Sequence, residues 1–225
     1  MWSKRKLGAV LIVCMVLLAA CSKEDAVSTM NTMEDTVNTE NQMQEHLKKL
    51  AALEGKDLEL YELIMEQGKD ANAKLDDLLT DALKHVDDRK EHLEAAKQIM
   101  DAAEEKSKFW RTSLDSYSKS AKEETLYQKA DQLWKDYEAR QKTFGEFYER
   151  YNESLIMDKE LYVLLEEKDG EISLDKLKSK VSERNKAFAN ANKLKQQFNE
   201  ETKAFNKDHE SLAVEMQQNF SGVNN

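Results

Sequence analysis

The sequence predicts an all-α protein: an elongated antiparallel three-helix bundle with an additional N-terminal helix. Three observations predict it. There is no proline among the 225 residues and there are only six glycines, so little interrupts a helix. Charged residues make up 35% of the chain, with Ala, Leu, Glu and Lys abundant, the composition of long helices and coiled coils. Three segments also space their apolar residues by alternate threes and fours, the seam of helices packed side by side. No stretch joins β-branched residues to period-two alternation, so no sheet is expected.

The elements follow in order. Residues 1–20 read as an export signal, because Lys4, Arg5 and Lys6 precede the uncharged run Leu7–Ala20. That run is too short to cross ~30 Å of hydrocarbon, which takes roughly 20 helical residues. It ends in Leu18-Ala19-Ala20-Cys21, which resembles the bacterial lipobox. The resemblance implies cleavage before Cys21 and lipidation of its sulfur with a diacylglyceryl group. No other cofactor is expected. Two acyl chains anchor stably where one is marginal. Residues 21–42, rich in Thr, Asn and acidic side chains, read as a tether from that cysteine. Residues 43–218 then form one helical domain, and 219–225 a frayed tail.

Within the domain, Met43, Leu47, Leu50, Leu53, Leu58, Tyr61 and Met65 trace the additional helix, weakened at Gly55. It either packs as a separate helix or extends the first long one. The first long seam passes through Leu79, Val86, Arg89, Leu93, Met100 and Trp110 to Tyr117. The second runs from Leu126 through Tyr137, Phe144, Tyr151 and Asp158 to Leu165. The third runs from Leu174 through Arg184, Phe198 and Phe205 to Met216. Between them stand capping signals: Asp70 after Gly68, Ser120 with Glu123, and Gly170 before Ser173. The helices should span about 71–117, 121–168 and 174–217. Each is then roughly 45 residues, or ~70 Å. Equal lengths and short turns set neighbours antiparallel.

Charge and cysteine content exclude several functions. Removing residues 1–20 takes away three basic and no acidic residues, so 34 basic residues become 31 against 44 acidic ones, a formal charge of −13. Such a surface repels nucleic acid, anionic lipid heads and wall polyanions. Cys14 leaves with the signal, so the exported chain keeps one cysteine, its sulfur already used. Disulfides and thiolate metal sites are excluded.

Candidate sites are sparse. Asp81, His85, Asp88 and His92 share one helical face at a spacing that can ligate zinc. That face lies one residue off the seam, where solvated charges are ordinary, so no metal is expected. Trp134, Tyr148 and Tyr162 also fall one residue beside the seam and are the candidates for a surface platform that stacks on sugar rings. No catalytic residues emerge: there is no nucleophile elbow, HExxH or phosphate loop, and a slender bundle offers no cleft for paired carboxylates. Asp158 and Arg184 occupy seam positions and fall at one height across the turn near 169–173, which predicts a structural ion pair.

The segments ALKHVDDRKEHLE (82–94) and SLIMDKELYVLLEEKD (154–169), behind a lipobox, resemble the YkyA-type cell-wall-binding lipoproteins of Gram-positive bacteria. The likeness covers about residues 43–216. It implies a long, spectrin-repeat-like bundle on the outer face of the cell membrane, lipid-anchored and extracellular. The function expected is non-enzymatic: wall binding, or a spacer and docking role at the membrane–wall boundary. Its partners would be the membrane, through the lipid, and peptidoglycan or another wall polymer, with no nucleic acid. The alternative is an accessory subunit of a membrane protein complex, and a wall-active enzyme ranks last.

Overall fold

A computed structural model describes residues 24–67, 73–120, 124–166 and 174–221. They form five helices: α1 (residues 24–41), α2 (Met43–Gln67), α3 (Ala73–Ser120), α4 (Glu124–Glu166) and α5 (Leu174–Ser221). There is no strand among the described residues. The export signal, Cys21 and the cap residues Gly68, Asp70, Glu123, Gly170 and Ser173 lie outside them.

Three sequence expectations need correction. Residues 24–41, read as part of a tether, form helix α1, with Ala26, Thr29, Met33 and Thr36 buried. Threonines are poor helix formers because their hydroxyls compete for backbone groups. Here they bond backward along the helix instead: Thr29 donates to the Asp25 carbonyl at 2.8 Å and Thr36 to the Thr32 carbonyl at 2.8 Å. The tail read from 219 is helical through Ser221, since no proline or glycine stops α5 before Gly222. The single domain is divided into two compact units, each with its own core.

Among the described residues, unit 1 comprises 24–39, 102–120, 124–140 and 201–221. Its core is aromatic. Trp110 on α3 meets Trp134 edge-on (centroids 5.1 Å apart, 86° between planes) and Tyr137 at 5.3 Å, both on α4, and Phe205 on α5 at 6.5 Å. Such edge-to-face pairs add ~0.5–1.5 kcal/mol each beyond burial. Lys106 reaches Asp35 on α1 at 2.9 Å, and Lys129 reaches Glu215 at 2.6 Å.

Among the described residues, unit 2 comprises 40–67, 73–101, 141–166 and 174–200. Leu79, Val86, Leu93 and Met100 recur every seventh residue on α3 and are all buried. On α4 and α5, Phe144 meets Phe198, Tyr151 meets Phe188 and Glu160 meets Lys180. Partner numbers rise on one helix as they fall on the other, so the pair is antiparallel. The additional helix α2 is separate from α3 and packs as the fourth member of this unit, burying Met43, Leu50, Asp57 and Ile64 at heptad spacing. Gly55 sits exposed within it, and an added Cβ there would meet nothing within 4 Å. Gly55→Ala should therefore stabilise the protein by ~0.5–1 kcal/mol, seen as a raised melting midpoint.

Candidate functional site

The most chemically dense part of unit 2 is a buried charge network drawn from all four of its helices. Asp57 comes from α2, Arg89 from α3, Asp158 and Tyr162 from α4, and Arg184 from α5. The side chains of Asp57, Arg89 and Asp158 are at most 3% exposed, and that of Arg184 is 11% exposed. Arg89 Nη2 donates to Asp158 Oδ2 at 2.7 Å and lies 3.3 Å from Asp57 Oδ1. Arg184 donates from Nε to Asp158 Oδ1 and from Nη2 to Asp57 Oδ2, the latter at 3.2 Å. The Tyr162 hydroxyl donates to Asp57 Oδ1 at 3.2 Å. Tyr61 lays its ring under the Arg184 guanidinium at 4.7 Å.

Two cations and two anions make the cluster neutral, which is how buried ions are tolerated. Burial pushes the Asp57 carboxyl above its ordinary range, against the pull of Arg89. Burial alone would lower Arg89, but the carboxylates of Asp158 and Asp57 outweigh it and hold the guanidinium charged. Burial, reinforced by Asp57, also raises the Tyr162 phenol, so it remains a donor.

Asp158 and Arg184, predicted to pair, are thus brought together, within a larger set than the sequence reading placed. Asp57 and Arg89 were missed as members. The signal for Asp57 was its place in the seven-residue series Met43, Leu50, Asp57, Ile64. Arg89 was visible as a charge on the first seam without an assigned partner. A double-mutant cycle on Asp158→Ala and Arg184→Ala should give a coupling energy of ~0.5–3 kcal/mol in thermal or urea unfolding. Additive effects would mean that the pair does not form in solution.

Elsewhere in unit 2, α2, α4 and α5 line an apolar groove of about 310 Å³. Leu47, Leu50, Phe147 and Phe198 line it, and Lys48 and Lys195 stand among its polar lining residues. Lys195 is paired to Glu54 at 2.7 Å.

The other candidates fare differently. Trp134 and Tyr162 do not form a surface platform: they are 9% and 0% exposed. A seam-neighbouring position faces solvent in a three-helix arrangement, but a fourth helix widens the buried arc of α4. Tyr162 accordingly meets Asp57 of α2, whereas Trp134 packs edge-on against Trp110 of α3. Tyr148 is half-buried, under the Lys97 ammonium at 5.8 Å. Asp81, His85, Asp88 and His92 do not converge, and among the described residues no group of three or more such side chains could hold a metal. Asp88 is taken by Lys84 at 2.6 Å, and His92 turns to His46 on α2.

Comparisons with known proteins point to one family. The sequence pattern of YkyA, described as "Putative cell-wall binding lipoprotein", matches residues 24–214. A Bacillus subtilis (strain 168) protein described as "Uncharacterized lipoprotein YkyA" is 28% identical over 207 residues, covering 92% of this chain and 90% of its own. A crystal structure of a conserved protein of unknown function from Staphylococcus aureus superposes with a TM-score of 0.67. That match covers 87% of this chain and 95% of the other at 15% identity, and speaks for the fold alone.

Proposed function

Because the chain belongs to the YkyA family of lipoproteins, we propose that it is a non-enzymatic surface protein held on the outer face of the cell membrane by acyl chains on Cys21. Its helical units would contact the wall, or act as spacer and docking element, at the membrane–wall boundary. The observation that carries this reading is the position of the lipobox. Only Ser22 and Lys23 separate Cys21 from the first residue of α1. Three residue steps reach at most ~11 Å, so the anchor would hold unit 1 close to the bilayer rather than on a long leash. Among the described residues no helix is long and apolar enough to cross a membrane. The lipid would therefore be the means of attachment that this reading requires.

Catalysis does not fit the buried carboxylates. Asp57 and Asp158 are committed to arginines inside the unit, so these two acids do not stand free on either side of a cleft. Binding fits better, subject to one electrostatic condition. Once cleaved before Cys21, a chain of formal charge −13 (31 basic against 44 acidic residues, from 34 against 44 in the full sequence) meets an anionic wall unfavourably unless divalent cations bridge the two. The docking alternative is favoured by Ile156 and Val163, seven residues apart on α4 and 52% and 43% exposed, so that one face of that helix presents two large apolar side chains to solvent.

Two experiments test the anchor and the ligand. Cys21→Ala should move the protein from the membrane fraction to the medium, or leave it as an uncleaved precursor. A processed variant that stays membrane-bound contradicts the lipid assignment. On isolated walls, the exported chain should bind weakly and more strongly in millimolar Ca²⁺ or Mg²⁺. Tight, salt-insensitive binding in chelator would require a specific sugar or peptide site instead.

A further inference from the structure

Outside the charge network, unit 2 brings together two histidines that are 46 residues apart. His46 on α2 and His92 on α3 are both half-buried, and their Nδ1 atoms lie 3.3 Å apart. The ring centroids are 5.5 Å apart and the planes are inclined by 55°, so the rings are tilted rather than stacked. A neutral pair meets this way when one ring donates N–H and the other accepts. The same separation is one edge of a metal-centred tetrahedron. Two nitrogens each ~2.0–2.1 Å from zinc at the tetrahedral angle stand about 3.3 Å apart. Little movement is then needed for a metal ion to take the place between the two Nδ1 atoms, the shared proton passing to Nε2 of the ring that had donated it.

Glu45, one residue before His46, is exposed and paired with Lys49 at 2.7 Å. We propose that His46 and His92 form a two-histidine chelate for a divalent transition-metal ion, of the Zn²⁺ class that imidazole prefers. The ion would tie α2 to α3 and keep its remaining positions for water or an incoming ligand group. The sequence spacing had set His92 with Asp88 on its own helix. The partner on α2 becomes visible only when the two helices are packed together.

The test uses the folded full chain and Zn²⁺ alone as probe, titrated calorimetrically in millimolar Mg²⁺. The magnesium occupies carboxylate sites that prefer hard cations. One Zn²⁺ per chain should bind, and it should raise the melting midpoint of the protein. His46→Gln and His92→Gln should each weaken binding at least tenfold, whereas His85→Gln and His209→Gln should leave it unchanged. Resonances of the imidazole nitrogens in the unsubstituted protein supply a readout that does not depend on the variants folding. His46 and His92 should shift together on adding Zn²⁺. Absence of binding, binding undiminished in both variants, or shifts confined to other histidines would each overturn the proposal.

Discussion

Arg89→Ala should destabilise the protein by about 3–5 kcal/mol, the cost of breaking a buried ion pair by removing one partner. The substitution leaves Asp57 and Asp158, both buried, to share the single guanidinium of Arg184. The deficit should also depend on pH, and its sign follows from the direction of the shift. Burial already raises the Asp57 carboxyl above its unfolded value, and losing Arg89 raises it further. A group so shifted contributes stability below its unfolded pKa, and that contribution is lost as pH rises through the folded pKa. The difference between variant and parent should therefore be smaller near pH 4 than at pH 8. Urea unfolding followed by circular dichroism at both pH values measures it. A pH-independent loss under 1 kcal/mol would show that the network is open to water. Replacing all four charges with apolar residues of similar volume should cost less than removing Arg89 alone, because no ion is left uncompensated.

Trp110→Ala should cost a similar ~3–5 kcal/mol, by emptying the centre of the unit 1 core. The side chain is fully buried and touches aromatic rings from α4 and α5. Trp110→Phe separates the contributions. The indole Nε1 is buried with no hydrogen-bond partner among the described residues, so its loss removes a desolvated donor while most of the ring contact is kept. The phenylalanine variant should lose less than half as much as the alanine variant. Amide exchange locates the damage: protection should fall in α1 and in the segment 102–140. Equal losses for the two variants would mean that Trp110 is not the keystone of this core.

The helices were readable in the sequence because their signal is local. Three-and-four spacing, absent proline and short turns place α3, α4 and α5 to within a few residues of their observed ends. Register was readable too, since an antiparallel pair joined by a short turn aligns positions by counting, and that count set Asp158 against Arg184. The first helix was hidden by its composition. Thr29 and Thr36 stand where a seam usually carries apolar side chains, and threonine becomes acceptable there only once its hydroxyl bonds the preceding turn. Everything that depended on the fourth helix waited for the tertiary structure. Burial of Tyr162, recruitment of Asp57 and Arg89, and the meeting of His46 with His92 are contacts between residues more than 30 positions apart. Periodicity says which face of a helix is covered. What covers it is decided only when the chain returns, and there a charge on the seam finds the opposite charge that permits its burial.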